Sequence, residues 1–193
     1  MPSRIRYLFD SDVLIASARL HYSPAYCQIF WDWLTDGHKS GLFFSIDKVK
    51  DELLDGKKDP LNAWAESDDM EDFFLPSLPS IGQWKKITAY ALDPAKQFTV
   101  AAQNKFMNSE KADAWLIAYA AQYGNFVIVT NEVSAKQSKK EIKLPDAAEA
   151  FGISTVKLFD IMQGYAGHNF SLKPLSSLSV IHPATSATAL PRS

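Results

Sequence analysis

Short apolar runs alternate with stretches of helical periodicity along this chain. Runs rich in β-branched or aromatic residues predict strands at residues 5–9, 42–44, 126–129 and 154–156. Apolar positions three or four residues apart predict helices at residues 13–20, 24–34, 45–56, 109–124 and 158–163, with another short helix after Pro145. Because strands alternate with helices, we expect an α/β fold with a parallel sheet covered on both faces.

Polar residues and glycines mark where several of these helices should begin and end. Ser45 is a suitable N-cap for the third helix, and Asn108 or Ser109 is suitable for the fourth. Gly37 is expected to interrupt the helix before the second strand, and Gly124 to end the helix before residues 126–129.

The pattern predicts one domain over residues 1–172. Within it, residues 57–108 carry several prolines and many aromatic residues, which predict helices joined by turns in an inserted arm or cap. Beyond residue 172 the chain turns to Ser, Thr, Ala and Pro with little periodicity. This composition predicts a flexible or partner-ordered tail over residues 173–193.

Length and composition narrow the class of protein. The chain has 193 residues and is 47% hydrophobic, enough for one sizeable core. It has neither a long apolar run nor the pattern of a secretory signal, so we expect a cytoplasmic protein without a membrane contact. The single Cys27 cannot form an internal disulfide, so redox chemistry is disfavoured.

The charge balance predicts that any contact with RNA is local. The chain carries 20 basic and 22 acidic residues, a net charge of −2, and therefore lacks the basic excess of a general nucleic-acid-binding protein. Lys136, Lys139, Lys140 and Lys143 follow the strand at 126–129 and are candidates for tracking an RNA backbone. A solvated charged loop is the alternative.

Two aspartates occur where the pattern predicts burial. Asp10 directly follows an apolar strand, where an ionised carboxylate needs a metal or several hydrogen-bond donors. The alternative is that Asp10 or Asp12 caps the helix that follows. Asp113 shares a predicted helix face with Leu116 and Ile117, so it also needs a partner, for which an Arg or Lys salt bridge is the alternative.

Mg²⁺ and Mn²⁺ prefer oxygen ligands, and carboxylates on separate secondary-structure elements can supply them. Ligands of parallel sheets bind beyond the carboxyl ends of the strands, which is where Asp10 lies. Ser11 and Thr130 are candidates to hydrogen-bond a ligand carboxylate or a metal-bound water, although capping and turn formation would also explain them. Asp12 is a candidate to lie beside the metal ligands.

Four segments, at residues 7–15, 45–53, 112–118 and 127–132, have an informative order and spacing. The first segment reads Tyr-Leu-Phe-Asp-Ser-Asp-Val-Leu-Ile, and the second is a predicted helix that ends in Glu52-Leu53. The third reads Ala-Asp-Ala-Trp-Leu-Ile-Ala, and the fourth reads Val-Ile-Val-Thr-Asn-Glu. Together they resemble the PIN-domain nucleases, which include the VapC-type toxins of bacterial toxin–antitoxin pairs. The resemblance covers about residues 5–165 and is closest to a prokaryotic PIN-like family described as a domain of unknown function.

This resemblance implies a three-layer α/β/α PIN-like fold, a Mg²⁺ or Mn²⁺ site and endonucleolytic cleavage of RNA. It also implies an antitoxin protein as a partner and allows a homodimer. By position, it implies that Asp10, Glu52 and Asp113 hold the metal. Asn131 stands where the family usually has an Asp or Asn ligand, and Glu132 beside it is a catalytic candidate.

Two other functions stay open. Haloacid-dehalogenase-like phosphatases also place Asp-x-Asp after the first strand, as in Asp10-Ser11-Asp12, whereas the PIN family commonly has Asn at the position of Asp12. The phosphatases require a later Lys and a paired acid, which residues 130–132 fit poorly. The third alternative is a catalytically inactive PIN-like module that binds RNA or a protein.

Overall fold

A computed structural model describes residues 4–55 and 58–174 of the chain. Within these residues five strands form one parallel sheet in the order β3-β2-β1-β4-β5. The strands are β1 (Arg6–Phe9), β2 (Phe43–Ile46), β3 (Phe74–Leu75), β4 (Phe126–Val129) and β5 (Thr155–Val156). The chain moves outward from β1 to β3 and then crosses back to place β4 on the other side of β1. The strand order therefore reverses between β1 and β4, where ligands of such sheets bind.

Helices connect these strands. A π-helical turn over Ser17–His21 directly continues α1, and short 3₁₀ segments occur between β3 and α6. The helices of the described residues are α1 (Ser11–Ala16), α2 (Gln28–Lys39), α3 (Asp47–Leu54), α4 (Pro60–Ala65), α5 (Ile81–Ala89), α6 (Val100–Phe106), α7 (Ala112–Tyr123), α8 (Leu144–Ala150) and α9 (Leu158–Tyr165).

Aromatic contacts show that helices cover both faces of the sheet. On one face, Tyr7 of β1 and Phe43 of β2 pack edge to face on Tyr165 of α9, with ring centroids 5.3 and 5.9 Å away. On the other face, Tyr119 of α7 packs on Phe126 of β4, with centroids 5.4 Å apart. Strands buried on both faces need apolar residues at successive positions, which explains their continuous apolar runs. The predicted α/β fold with a central parallel sheet is confirmed.

The second strand is longer than predicted, and the predicted N-cap at Ser45 is wrong. Ser45 lies inside β2, is fully buried, and donates a hydrogen bond from its Oγ to the carbonyl oxygen of Phe9 at 2.6 Å. The helix instead begins at Asp47, whose carboxylate accepts a hydrogen bond from the Lys48 N–H at 2.8 Å. A serine hydroxyl satisfies its hydrogen-bonding need equally well in a strand or at a cap, so its identity alone did not distinguish the two.

The inserted arm contributes to the sheet as well as carrying helices. Phe74 and Leu75 pair with Ser45 and Ile46 as the edge strand β3, which the sequence pattern did not predict. A two-residue strand has no periodicity to detect. The arm is thus joined to the sheet next to the helix that carries Glu52.

The longest buried helix, α7, begins later than predicted. Asn108 accepts a hydrogen bond from the Glu110 N–H at 2.9 Å and so forms a turn, and the N-cap position is occupied by Lys111. Gly124 has a φ of +63° and ends the helix as predicted. Nearly every residue from Ala112 to Ala120 is buried, so Asp113 enters a helix enclosed on most sides.

None of the helices in the described part of the chain is long and apolar enough to cross a membrane. The tail predicted over residues 173–193 lies outside the described residues, apart from Lys173 and Pro174. Cys27 is half-buried immediately before α2.

Gly37 does not interrupt α2, as the sequence suggested, but lies buried inside it. A Cβ atom at this position would lie 2.0 Å from Cδ2 of the Phe43 ring. The ring of a central strand residue therefore occupies the space that a side chain at position 37 would need. The helix packs closely on β2 because residue 37 is glycine.

We expect Gly37→Ala to destabilise the protein by about 1–3 kcal/mol, because the added methyl group displaces a buried ring. The free energy of unfolding in urea measures this change. Gly82→Ala in α5 is the matched control, since a Cβ there meets nothing within 4 Å. The control should be neutral or stabilising by up to about 1 kcal/mol. Equal effects of the two substitutions would contradict the packing argument.

Candidate functional site

Asp10 and Thr130 are brought together by the pairing of β1 with β4. Phe9 is in register with Val129, and the Asp10 N–H donates to the Val129 carbonyl oxygen at 3.0 Å. The Asp10 side chain is only 3% exposed. One of its carboxylate oxygens accepts from the Ser11 N–H at 2.7 Å and the other from Thr130 Oγ1 at 2.9 Å. Asp10 is therefore both the N-cap of α1 and a buried acid at the carboxyl end of the sheet.

Asp12 supports the chain after β4 and does not cap α1. It is half-buried in the first turn of that helix, and its carboxylate accepts from the Asn131 N–H at 3.2 Å. Asn131 itself is exposed, so its contact with the site is made by backbone. The structure brings Asp12 to the acidic cluster and leaves the Asn131 side chain at its margin.

Glu52 joins three helices. From α3 it accepts a hydrogen bond from Ser11 Oγ at 2.5 Å and from the Ala112 N–H at 3.3 Å. The Lys111 ammonium lies 3.5 Å from the same carboxylate, which is 17% exposed. These contacts fix Glu52 between α1 and the beginning of α7, on residues that are the sequence neighbours of Asp10 and Asp113.

Asp113 lies in the first turn of α7, where its pKa is raised from 3.8 to about 6. Burial is the largest cause of this shift, the negative charges of Glu132 and Glu52 add to it, and the positive charge of Lys105 opposes it. Burial also raises the pKa of Asp10 well above its ordinary value, and the charges of Asp12 and Asp113 add to this effect. These mutual effects place Asp10, Asp12, Glu52, Asp113 and Glu132 in one acidic cluster.

Glu132 faces this cluster and also holds the start of α8. One of its oxygens accepts from the Leu144 N–H at 2.8 Å, and the other lies 3.7 Å from the Lys143 ammonium. Asp146, which also follows β4, accepts instead from the Ala135 N–H at 2.8 Å. Glu132 is therefore better placed than Asp146 to act with the cluster.

The lysines that adjoin the acids are mostly not those that the sequence indicated. Lys136 pairs with Glu149 at 2.7 Å, Lys139 donates to the Lys96 carbonyl oxygen at 2.8 Å, and Lys140 is exposed. The lysines whose charges act on the cluster are Lys105, Lys111 and Lys143. Lys111 could have been found from sequence, because it directly precedes the helix that carries Asp113.

The donor set suits a hard divalent cation. All five acidic side chains offer oxygen ligands, and the raised pKa values of Asp10 and Asp113 indicate negative charge that present contacts do not balance. Across residues 4–55 and 58–174, no three His, Cys, Asp or Glu side chains are arranged to hold one ion as they stand. Binding an ion would therefore require the acids to exchange some of their contacts with Ser11, Lys111 and Lys143.

We expect Asp113→Asn to stabilise the metal-free protein at neutral pH. The folded-state pKa of Asp113 is raised, so its contribution favours folding below about pH 4 and is lost as the pH rises through about 6. Asparagine removes this loss of folding free energy, which is on the order of 3 kcal/mol. Urea unfolding in EDTA across this pH range measures the difference.

Asp36→Asn, at an exposed position of α2, is the control and should leave the pH dependence unchanged. If Asp113→Asn lost stability with rising pH as steeply as the unaltered protein, Asp113 would ionise in the folded state without a penalty.

The chain matches the family model described as Domain of unknown function (DUF4411) over residues 7–167. The matched region contains the sheet, except for Arg6 at the start of β1, and all five acids of the cluster. No curated protein and no solved structure matches the chain. Because the match covers most of its 193 residues, the chain belongs to the DUF4411 family.

Proposed function

We propose that this protein is a divalent-metal-dependent endoribonuclease of the PIN type that acts as the toxin of a toxin–antitoxin pair. The observation that carries the proposal is the acidic cluster where the strand order reverses, with Asp10, Glu52 and Asp113 contributed by three separate elements. The sequence resemblance to PIN-domain nucleases supports the choice of RNA as the substrate. The toxin role and the antitoxin partner rest on that resemblance.

In this proposal Asp10 and Asp113 are the primary ligands of Mg²⁺ or Mn²⁺, and Glu52 is a third ligand or orients the attacking water. A bound cation would supply Lewis-acid stabilisation of the scissile phosphate and lower the pKa of the attacking water. Thr130 holds the Asp10 carboxylate through its hydroxyl, and Ser11 holds that of Glu52. Glu132 is a catalytic or additional ligand candidate because its charge acts on Asp113.

A haloacid-dehalogenase-like phosphatase fits the geometry less well. Phosphatases of this family also require a lysine that acts with the nucleophilic aspartate. The Asp10 carboxylate accepts hydrogen bonds from the Ser11 N–H and the Thr130 hydroxyl, whereas Lys111 and Lys143 lie beside Glu52 and Glu132. This arrangement favours the nuclease over the phosphatase.

We expect Asp10→Asn and Asp113→Asn each to abolish Mn²⁺-dependent cleavage of RNA while the protein stays folded. Each substitution removes a charged oxygen ligand and retains the size of the side chain. Cleavage of a labelled single-stranded RNA, followed on denaturing gels, measures activity. Calorimetric titration with Mn²⁺ measures binding, and circular dichroism reports folding.

Asp160→Glu, on the exposed side of α9, is a control for surface changes and should cleave normally. Cleavage at the original rate by either asparagine variant would remove the proposal. Release of phosphate from a small phosphomonoester without RNA cleavage would favour the phosphatase. Growth arrest on expression, relieved by Asp10→Asn, would support the toxin role.

We expect Ser11→Ala to lower the cleavage rate about 10- to 100-fold, because Glu52 loses the hydroxyl that orients it. Ser134→Ala is a matched control, since Ser134 makes the same kind of bond to Asp146 away from the cluster. Its cleavage rate should stay within about twofold of the original. Equal losses in the two variants would show that the bond to Glu52 has no particular role in activity.

A further inference from the structure

A cavity of about 330 Å³ lies between the arm and the loop that follows β4. This cavity is here called the arm cavity. Hydrogen bonds connect its two sides. The Thr99 N–H donates to the Lys139 carbonyl oxygen, and Lys139 Nζ donates to that of Lys96, both at 2.8 Å. The arm cavity is therefore held open by fixed backbone on both sides.

Its walls combine aromatic rings with lysines. Tyr90 and Phe98 are half-buried, with ring centroids 5.8 Å apart, and Lys96 Nζ lies 4.9 Å from the centre of the Tyr90 ring. Lys136, Lys139 and Lys143 also line the cavity. Aromatic walls next to cations suit a planar base that carries a phosphate.

The acids that line the arm cavity are already engaged. Glu149 pairs with Lys136 at 2.7 Å and Glu141 with Lys143 at 2.8 Å, while Asp146 accepts from the loop backbone at 2.8 Å. Among the described residues, neither Lys96 nor Lys139 forms an ion pair with a carboxylate. The cavity therefore presents cations that a phosphate can meet.

Lysines also connect the arm cavity to the acidic cluster. Lys143 lines the cavity and lies 3.7 Å from Glu132 of the cluster. Lys105 acts electrostatically on Asp113 of the cluster and on Glu141 of the cavity wall, so it lies between them. A nucleic-acid strand leaving the cluster toward the cavity would pass these two cations.

We propose that the arm cavity binds the base of a nucleotide that flanks the cleaved bond, with the intervening phosphates contacting Lys105 and Lys143. The inference rests on the proposed nuclease function, because the strand in the cavity is the strand cleaved at the cluster. The substrate class is single-stranded RNA, since a base must leave its stack to enter. The arm thus selects for an unpaired strand.

The test is the binding of short single-stranded RNAs, each with one 2-aminopurine at a different position, to the full chain in EDTA. We expect the fluorescence to be quenched strongly at one position only. Tyr90→Leu and Phe98→Leu should remove this quenching and weaken binding about tenfold, because each removes a stacking surface. Tyr26→Leu, at an exposed tyrosine outside the cavity, should change neither.

Lys96→Gln is the second variant, since it leaves the aromatic wall intact. It should weaken binding and lower the slope of log affinity against log salt by about one. Uniform quenching at all positions would overturn the proposal. So would duplex RNA or a free nucleoside monophosphate binding as tightly as the single strand.

The experiment separates this inference from the proposed function because it needs no metal and no cleavage. If RNA binds through Tyr90 but is never cleaved in the presence of Mn²⁺, the nuclease proposal is wrong and the binding site stands. If Tyr90→Leu and Phe98→Leu cleave RNA with the same KM as the original protein, the nuclease proposal stands and the proposed binding site is wrong.

Discussion

The pairing of β1 with β4 is the contact around which the candidate site is arranged. The two strands are separated by more than a hundred residues, yet their register sets Phe9 beside Val129 and so Asp10 beside Thr130. The strand order reverses at this pair, which is where ligands of such sheets bind. A shift of register by one residue would turn Asp10 to the opposite side of the sheet.

The electrostatics of the site oppose its stability. Asp10 is buried with acidic neighbours, and Asp113 lies in a helix enclosed on most sides. The pKa values of both acids are raised for this reason. The chain tolerates this because Ser11 and Thr130 donate to the acids and Lys111 and Lys143 lie close to them. The acidic cluster is thus maintained at a cost to folding, which is common at functional sites.

The sequence predicted those parts of the fold that carry a regular pattern. Strands β1 and β4 are continuous apolar runs, and both were located from them. The role of Ser45 was not predicted because it depends on a hydrogen bond to Phe9, and that of Gly37 because it depends on the Phe43 ring. Strand β3 was not predicted because it depends on pairing with β2. Such contacts are set by tertiary structure.

The same limit applies to the site, where Asp10 and Asp113 were identified from predicted burial but the nearby Lys105 and Lys111 were not. Glu52 illustrates a further constraint on how this site changes over evolution. Its carboxylate accepts hydrogen bonds from Ser11 of α1 and Ala112 of α7 and lies near Lys111. Position 52 therefore determines how three helices meet as well as what the site binds. A change there alters architecture and chemistry together, so we expect residues 11, 52 and 111 to vary jointly rather than one at a time.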